Sequence, residues 1–147
     1  VNVGLTFLPD GTLLATDKSG GVRCIDPATG VVREIGAFGG DFATAGDLVA
    51  VVDGTMYAIS DRGPVGDESG NNWLLTVNTA TGRATPVGQI GFGRVYGCAY
   101  ANGHVYAFAA DGKAIEINRE TGAGTLIKTF PVAFWGAGVT PLVPVIP

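Results

Sequence analysis

The sequence repeats itself, and the repeat leaves little freedom for the fold. Sliding the N-terminal third onto the C-terminal third at an offset of 92 needs no gap. Gly11 falls on Gly103, Ala15 on Ala107, Gly20 on Gly112, Thr29–Gly30 on Thr121–Gly122 and Phe38 on Phe130. A middle copy fits between them, with Gly54 answering Gly11 and Thr81–Gly82 answering Thr29–Gly30. Three copies in 147 residues average near 49 each. That length is well above a leucine-rich repeat and suits a small sheet repeated in series.

Each copy carries the same punctuation. A hairpin turn comes first, at Asp10-Gly11, Asp53-Gly54 and Asn102-Gly103, where both residue types tolerate positive φ. A second strand follows at 12–16, 55–60 and 104–109. A third strand then ends in an Asx-x-x-Thr-Gly turn: Asp26 to Gly30, Asn78 to Gly82 and Asn118 to Gly122. There the Asp or Asn side chain is expected to cap the turn backbone, with Gly in the left-handed position. A fourth strand closes each copy at 31–36, 84–88 and 124–129. Four antiparallel strands per copy describe one blade of a β-propeller.

The expectation is therefore an all-β chain with three four-stranded antiparallel blades at about 2–37, 46–90 and 94–130, then a closing strand or tail over 132–147. Propellers close with ~4–8 blades, so three make an incomplete ring or half of a six-bladed assembly. Either further blades of a longer chain or a homodimer would then cover the exposed blade faces. The linkers share the pattern Phe-x-x-x-aromatic-x-x-Ala, at Phe38/Phe42/Ala45, Phe92/Tyr96/Ala99 and Phe130/Phe134/Ala137. These aromatics are expected to wedge neighbouring blades. The alternative is a ligand-stacking or partner surface built from Phe42, Tyr96, Phe134 and Trp135.

The runs Ile25–Gly36 and Val77–Gly88, with Val95–Tyr100, resemble the Asp-x-x-Thr-Gly repeats of bacterial extracellular propellers of unassigned function. The likeness to quinoprotein repeats is more distant, because the Trp those carry after Thr-Gly is missing. The resemblance covers nearly the whole chain and implies propeller architecture and a secreted or surface location, which low Lys content also favours. Val rather than Met stands first, as in a processed or excised piece.

Composition narrows the partners. Thirteen acids against nine bases leave a net charge of −4, and no Lys/Arg cluster exists. Such a chain lacks the footprint expected of a nucleic-acid binder. No apolar run approaches the ~20 residues of a membrane-spanning helix, so no membrane insertion is expected. Cys24 and Cys98 fall at non-equivalent positions of different copies and are expected to act as small hydrophobes rather than a disulfide.

The middle copy alone departs from pure architecture. Between its second and third strands, residues 61–72 form a connection about nine residues longer than in the other copies. Such a connection shares a face with the loops between blades. Asp61, Asp67, Glu68, Asn71 and Asn72 supply hard oxygen donors of the kind Ca²⁺ gathers, although Gly63 and Val65 break the EF-hand template. The single His104 lacks a nucleophile elbow and reads as a strand residue beside a turn. A metal-dependent lactonase or hydrolase of the regucalcin-like class would need acids converging from several innermost strands. Those strands, 3–8, 48–52 and 95–100, contain none; Asp41 and Asp47 lie nearby in one blade only. The function expected is thus a non-catalytic binding, adhesion or scaffolding module, with the metal-dependent enzyme as the alternative.

Overall fold

Local hydrogen bonding explains where each strand stops. The computed structural model describes residues 2–67 and 69–139. In all three Asx-x-x-Thr-Gly turns the Asx Oδ1 accepts two backbone amides: Ala28 and Thr29 at Asp26, Ala80 and Thr81 at Asn78, and Glu120 and Thr121 at Asn118. Gly30, Gly82 and Gly122 follow at φ 71–76°, each donating its amide back to the Asx carbonyl. The hairpin turns divide, however. Asn102-Gly103 has both residues at positive φ, whereas only the glycine does so at Gly11 and Gly54. There Asp10 and Asp53 instead accept the amides of Thr12 and Thr55 at 2.9 Å, as in longer turns with a left-handed Gly.

The strands form three sheets, each a simple antiparallel meander. The first blade is β1 (Asn2–Phe7), β2 (Leu13–Asp17), β3 (Gly21–Ile25) and β4 (Val32–Ala37). The second is β5 (Thr44–Ala50), β6 (Met56–Ser60), β7 (Trp73–Val77) and β8 (Ala84–Gln89). The third is β9 (Val95–Ala101), β10 (His104–Ala109), β11 (Lys113–Ile117) and β12 (Gly124–Thr129). β5 packs against β1 on one side and β9 on the other, while β9 does not return to pack against β1 in the same way. The three blades thus form a β-propeller-type array that leaves its ring open. Residues 130–139 contain no strand, and 140–147 of the anticipated closing strand or tail lie outside the described residues.

The hydrophobic core lies between blades. Leu14 and Val22 of the first blade meet Leu48, Met56, Leu75 and Val77 of the second around the buried Phe38. Ile59, Leu74 and Ile90 meet Val95, Val105 and Ile115 of the third blade. Sandwiched on both faces, β6 is buried at every position, whereas β12 is exposed along nearly its whole length.

Glycines at each seam let backbone meet backbone. A Cβ on Gly36 would overlap the Thr81 carbonyl oxygen, and one on Gly88 would overlap that of Thr121. Beside these contacts Ala84 N donates to Phe38 O at 3.0 Å and Gly124 N to Ile90 O at 2.9 Å. Ile90, rather than the expected Phe92, therefore occupies the place of Phe38. Both are 1% exposed, and Phe92 only borders the core. The repeat in the middle linker is displaced because burial, not aromaticity, defines the position.

Gly88→Ala is expected to lower stability by about 1–3 kcal/mol through overpacking. Lys128→Ala, at the equivalent place in β12, should cost no more than about 0.5–1 kcal/mol, the worth of its exposed contact with the Phe130 ring. Urea unfolding of the two variants checks the contrast.

Candidate functional site

The long middle connection and the first blade's short hairpin lie side by side. Residues Asp17–Ser19, the linker residues Gly40–Phe42 and Arg62 line one groove of about 590 Å³. A second hollow of about 330 Å³ continues from Asp41 along Asp61–Asp67 to Gly70 and Asn71. The β2–β3 turn, the β4–β5 linker and the β6–β7 loop therefore share a face.

The groove's first wall is pre-organised. Asp17 Oδ1 accepts the Ser19 hydroxyl at 2.6 Å and the Ser19 and Gly21 amides at 2.9 and 3.0 Å, while Oδ2 meets Arg23 Nη2 at 2.8 Å. The Ser19 hydroxyl, with the Gly21 amide and the Arg23 guanidinium, holds the carboxyl at about 2. It stays ionised beside Lys18 while its neighbours fix its direction.

The loop uses its donors unevenly. Asp67 accepts the Ser69 amide and the Trp73 indole N–H, which lower its pKa and tie the loop to the start of β7. Asp61 is exposed, and Asn71, whose amide is bonded to Ser69 Oγ, is half-buried. Asn72 is buried and already spent. Its Nδ2 donates to Ser60 O and its Oδ1 accepts from Val95 N, both at 3.0 Å. Asn72, expected as a metal ligand, instead clamps β6 to β9, because both ends of its side-chain amide are bonded to the backbone of those strands. Glu68 lies outside the described residues. Among the described residues no three His, Cys, Asp or Glu side chains gather to hold one ion.

The aromatic candidates separate into two groups. Phe42 lines the groove and packs against the first interblade core. Tyr96 and Trp135 stack with ring centres 5.6 Å apart and planes 8° from parallel. Phe134 packs edge-on against Phe108 and Phe130, while Trp135 remains 71% exposed. Tyr96 belongs to β9 and Phe134 and Trp135 follow β12, and none of the three lines Phe42's groove. His104 bonds Glu116 Oε1 at 2.6 Å, and Cys24 and Cys98 are both free.

Asp47, expected only near the inner strands, lies within one. The innermost strand of the second blade begins earlier than expected and includes it, at a register shift between Thr44 and Leu48. Such a bulge re-aims a side chain. Here Oδ2 of Asp47 accepts the amides of Cys98 in β9 and of Ala137 beyond β12. Burial raises its pKa against the effect of those two bonds, and burial likewise pushes the Cys98 thiol far above its usual range. A cavity of about 120 Å³ lies beside this contact, between Leu5–Phe7, Leu48, Cys98 and Ala137–Val139.

The chain matches no model of a protein family and no curated protein. Its fold does match solved structures. One is a protein of unknown function from Bacteroides thetaiotaomicron, at TM-score 0.62 and 20% identity over 90% of this chain and 32% of that one. Another is an auxiliary nutrient binding protein from the same species, at 0.64 and 18% over 95% and 33%. A third is an oligogalacturonate lyase in complex with manganese, at 0.56 and 20% over 86% and 40%. This chain thus spans about a third to two-fifths of their lengths. At these identities the likeness concerns the fold: a β-propeller-type array.

Two titrations should separate. Asp17's lowered pKa makes its contribution to stability present above 3.8 and lost as pH falls towards about 2, so Asp17→Asn should flatten the fall in unfolding midpoint across that window. Asp47 has the opposite sign: its contribution is present below 3.8 and lost as pH rises through its raised folded value. At pH 7 Asp47→Asn should keep or raise the midpoint. Asp47→Ala, which strands the Cys98 and Ala137 amides, should cost about 1–3 kcal/mol.

Proposed function

We propose that this chain is a non-catalytic binding module of a secreted or cell-surface protein, and that its ligand lies across the groove between the first two blades. The observation that supports this most is the convergence of Asp17, Lys18, Ser19, Asp41, Phe42 and Arg62 on one open groove. Acceptors, cations and one aromatic face on a shared surface suit a hydroxyl-rich, oligosaccharide-type ligand. Specificity would come from the middle blade, whose extended loop supplies Arg62 and lengthens the groove. Further blades of a longer chain are the proposed cover for the open blade faces.

The enzyme reading, a metal-dependent lactonase or hydrolase completed by further blades, has one inner-strand acid in its favour. Asp47 stands there, but its Oδ2 already receives two backbone amides. For calcium at the loop, Asp61 and Asn71 retain uncommitted side-chain oxygens among the described interactions, while Asp67 would have to share its carboxylate.

Calorimetry with a panel of soluble neutral and acidic oligosaccharides tests the binding reading. Binding should appear without added metal and weaken at least about tenfold (~1.4 kcal/mol) in Arg62→Ala and in Asp41→Ala, with His104→Ala unchanged. Binding of none of the panel, or affinity indifferent to both groove variants, would falsify it. A calcium titration decides the loop separately: stoichiometric heat abolished by Asp61→Ala would establish a metal site there.

A further inference from the structure

We propose that the outer face of the third blade is closed to the first blade of a second copy, so that two copies do not join head to tail into one ring, and that Lys128 is the residue that closes it. Register places Lys128 opposite Ala114 as Gly36 stands opposite Val22 and Gly88 opposite Leu74. At both seams present in the molecule, that position is the glycine on which the next blade seats the carbonyl of its Thr-Gly turn. The third blade alone has a side chain there. A second copy would bring its Thr29 carbonyl to this spot, where any Cβ overlaps the oxygen at the other two seams. Both sides of that overlap are backbone or directly attached to it, so no rotamer relieves it.

The inner edge is obstructed as well. A Cβ on Gly4 would meet Gly46 O, one on Gly46 would meet Tyr96 O, and one on Gly97 would meet the Gly136 carbonyl at 3.0–3.1 Å. Successive inner strands therefore touch at glycines, and Phe134–Gly138 continues the series past β9. The Asp47 carboxylate and the stacking of Trp135 on Tyr96 hold that segment in place. β1 of a second copy would need the same space. The donor side of the joint carries no such block: nothing lies within 4 Å of the position a Cβ would take at Gly30.

Light scattering on the intact chain tests this directly. It should show a single-chain mass up to high protein concentration, and Gly30→Ala should leave that mass unchanged. Reopening the face, by Lys128→Gly in a chain ending at Ala133, should lower the concentration for self-association at least about tenfold. Adding Gly30→Ala should reverse this, because a Cβ at the equivalent Gly122 would meet Gly88. Two-chain particles of the intact protein that Gly30→Ala dissolves would overturn the proposal. So would a reopened variant that keeps its β-sheet circular dichroism and associates no more readily than the intact chain. The first of these outcomes is read on the unaltered protein and does not depend on the truncated variant folding.

Discussion

Everything in this fold depends on backbone meeting backbone at two glycines. Gly36 and Gly88 let the Thr81 and Thr121 carbonyls sit against the neighbouring sheet, which brings the blades close enough for their apolar faces to interdigitate. The two interblade cores follow from that approach. Hydrophobic stabilisation scales with apolar area removed from water, and here that area is shared between sheets rather than enclosed within one. A blade alone has two faces to cover and nothing to cover them with. Hence the middle blade is the driest and the outer strand of the third is the wettest.

The same packing makes a site from parts that are remote in sequence. Bringing the first two blades together puts the tight Asp17–Gly20 turn beside the extended loop of the second. Asn72 then fixes the loop's far end by bridging Ser60 and Val95, so a buried amide links the second blade to the third. Asp47 performs a related task near the propeller centre, where its carboxylate joins β5, β9 and the segment beyond β12. Both side chains are polar and both are committed to backbone partners, as most polar groups withdrawn into a low-dielectric interior are.

Much of the architecture was legible in the residues. The Asx-x-x-Thr-Gly turns cap themselves through bonds spanning two or three residues, so their geometry is local and their spacing marks every third strand. The loop of the middle copy was visible as excess length, and the placement of its connection beside the linker follows from blade geometry. Less visible were features set across blades. Phe92 shares its residue type with Phe38, yet Ile90 takes the buried place because its amide bonds Asn72 and its carbonyl receives Gly124. Asn72 looked like one more oxygen donor in a polar run until its two partners, 12 and 23 residues away, were in place.

The amino-acid order by itself determined the number of blades, the positions of their turns and the unusual status of the middle copy, because all three arise from hydrogen bonds and periodicities within a few residues. Tertiary structure decided which polar side chains remain available to a ligand, which acid reaches the inner strands and how the third repeat differs from the others. Lys128 shows the division. In sequence it is an ordinary surface lysine in a strand. Only when Gly36 and Gly88 are seen receiving a carbonyl from the next blade does its Cβ become an obstacle, since steric exclusion is a property of two surfaces and not of one residue.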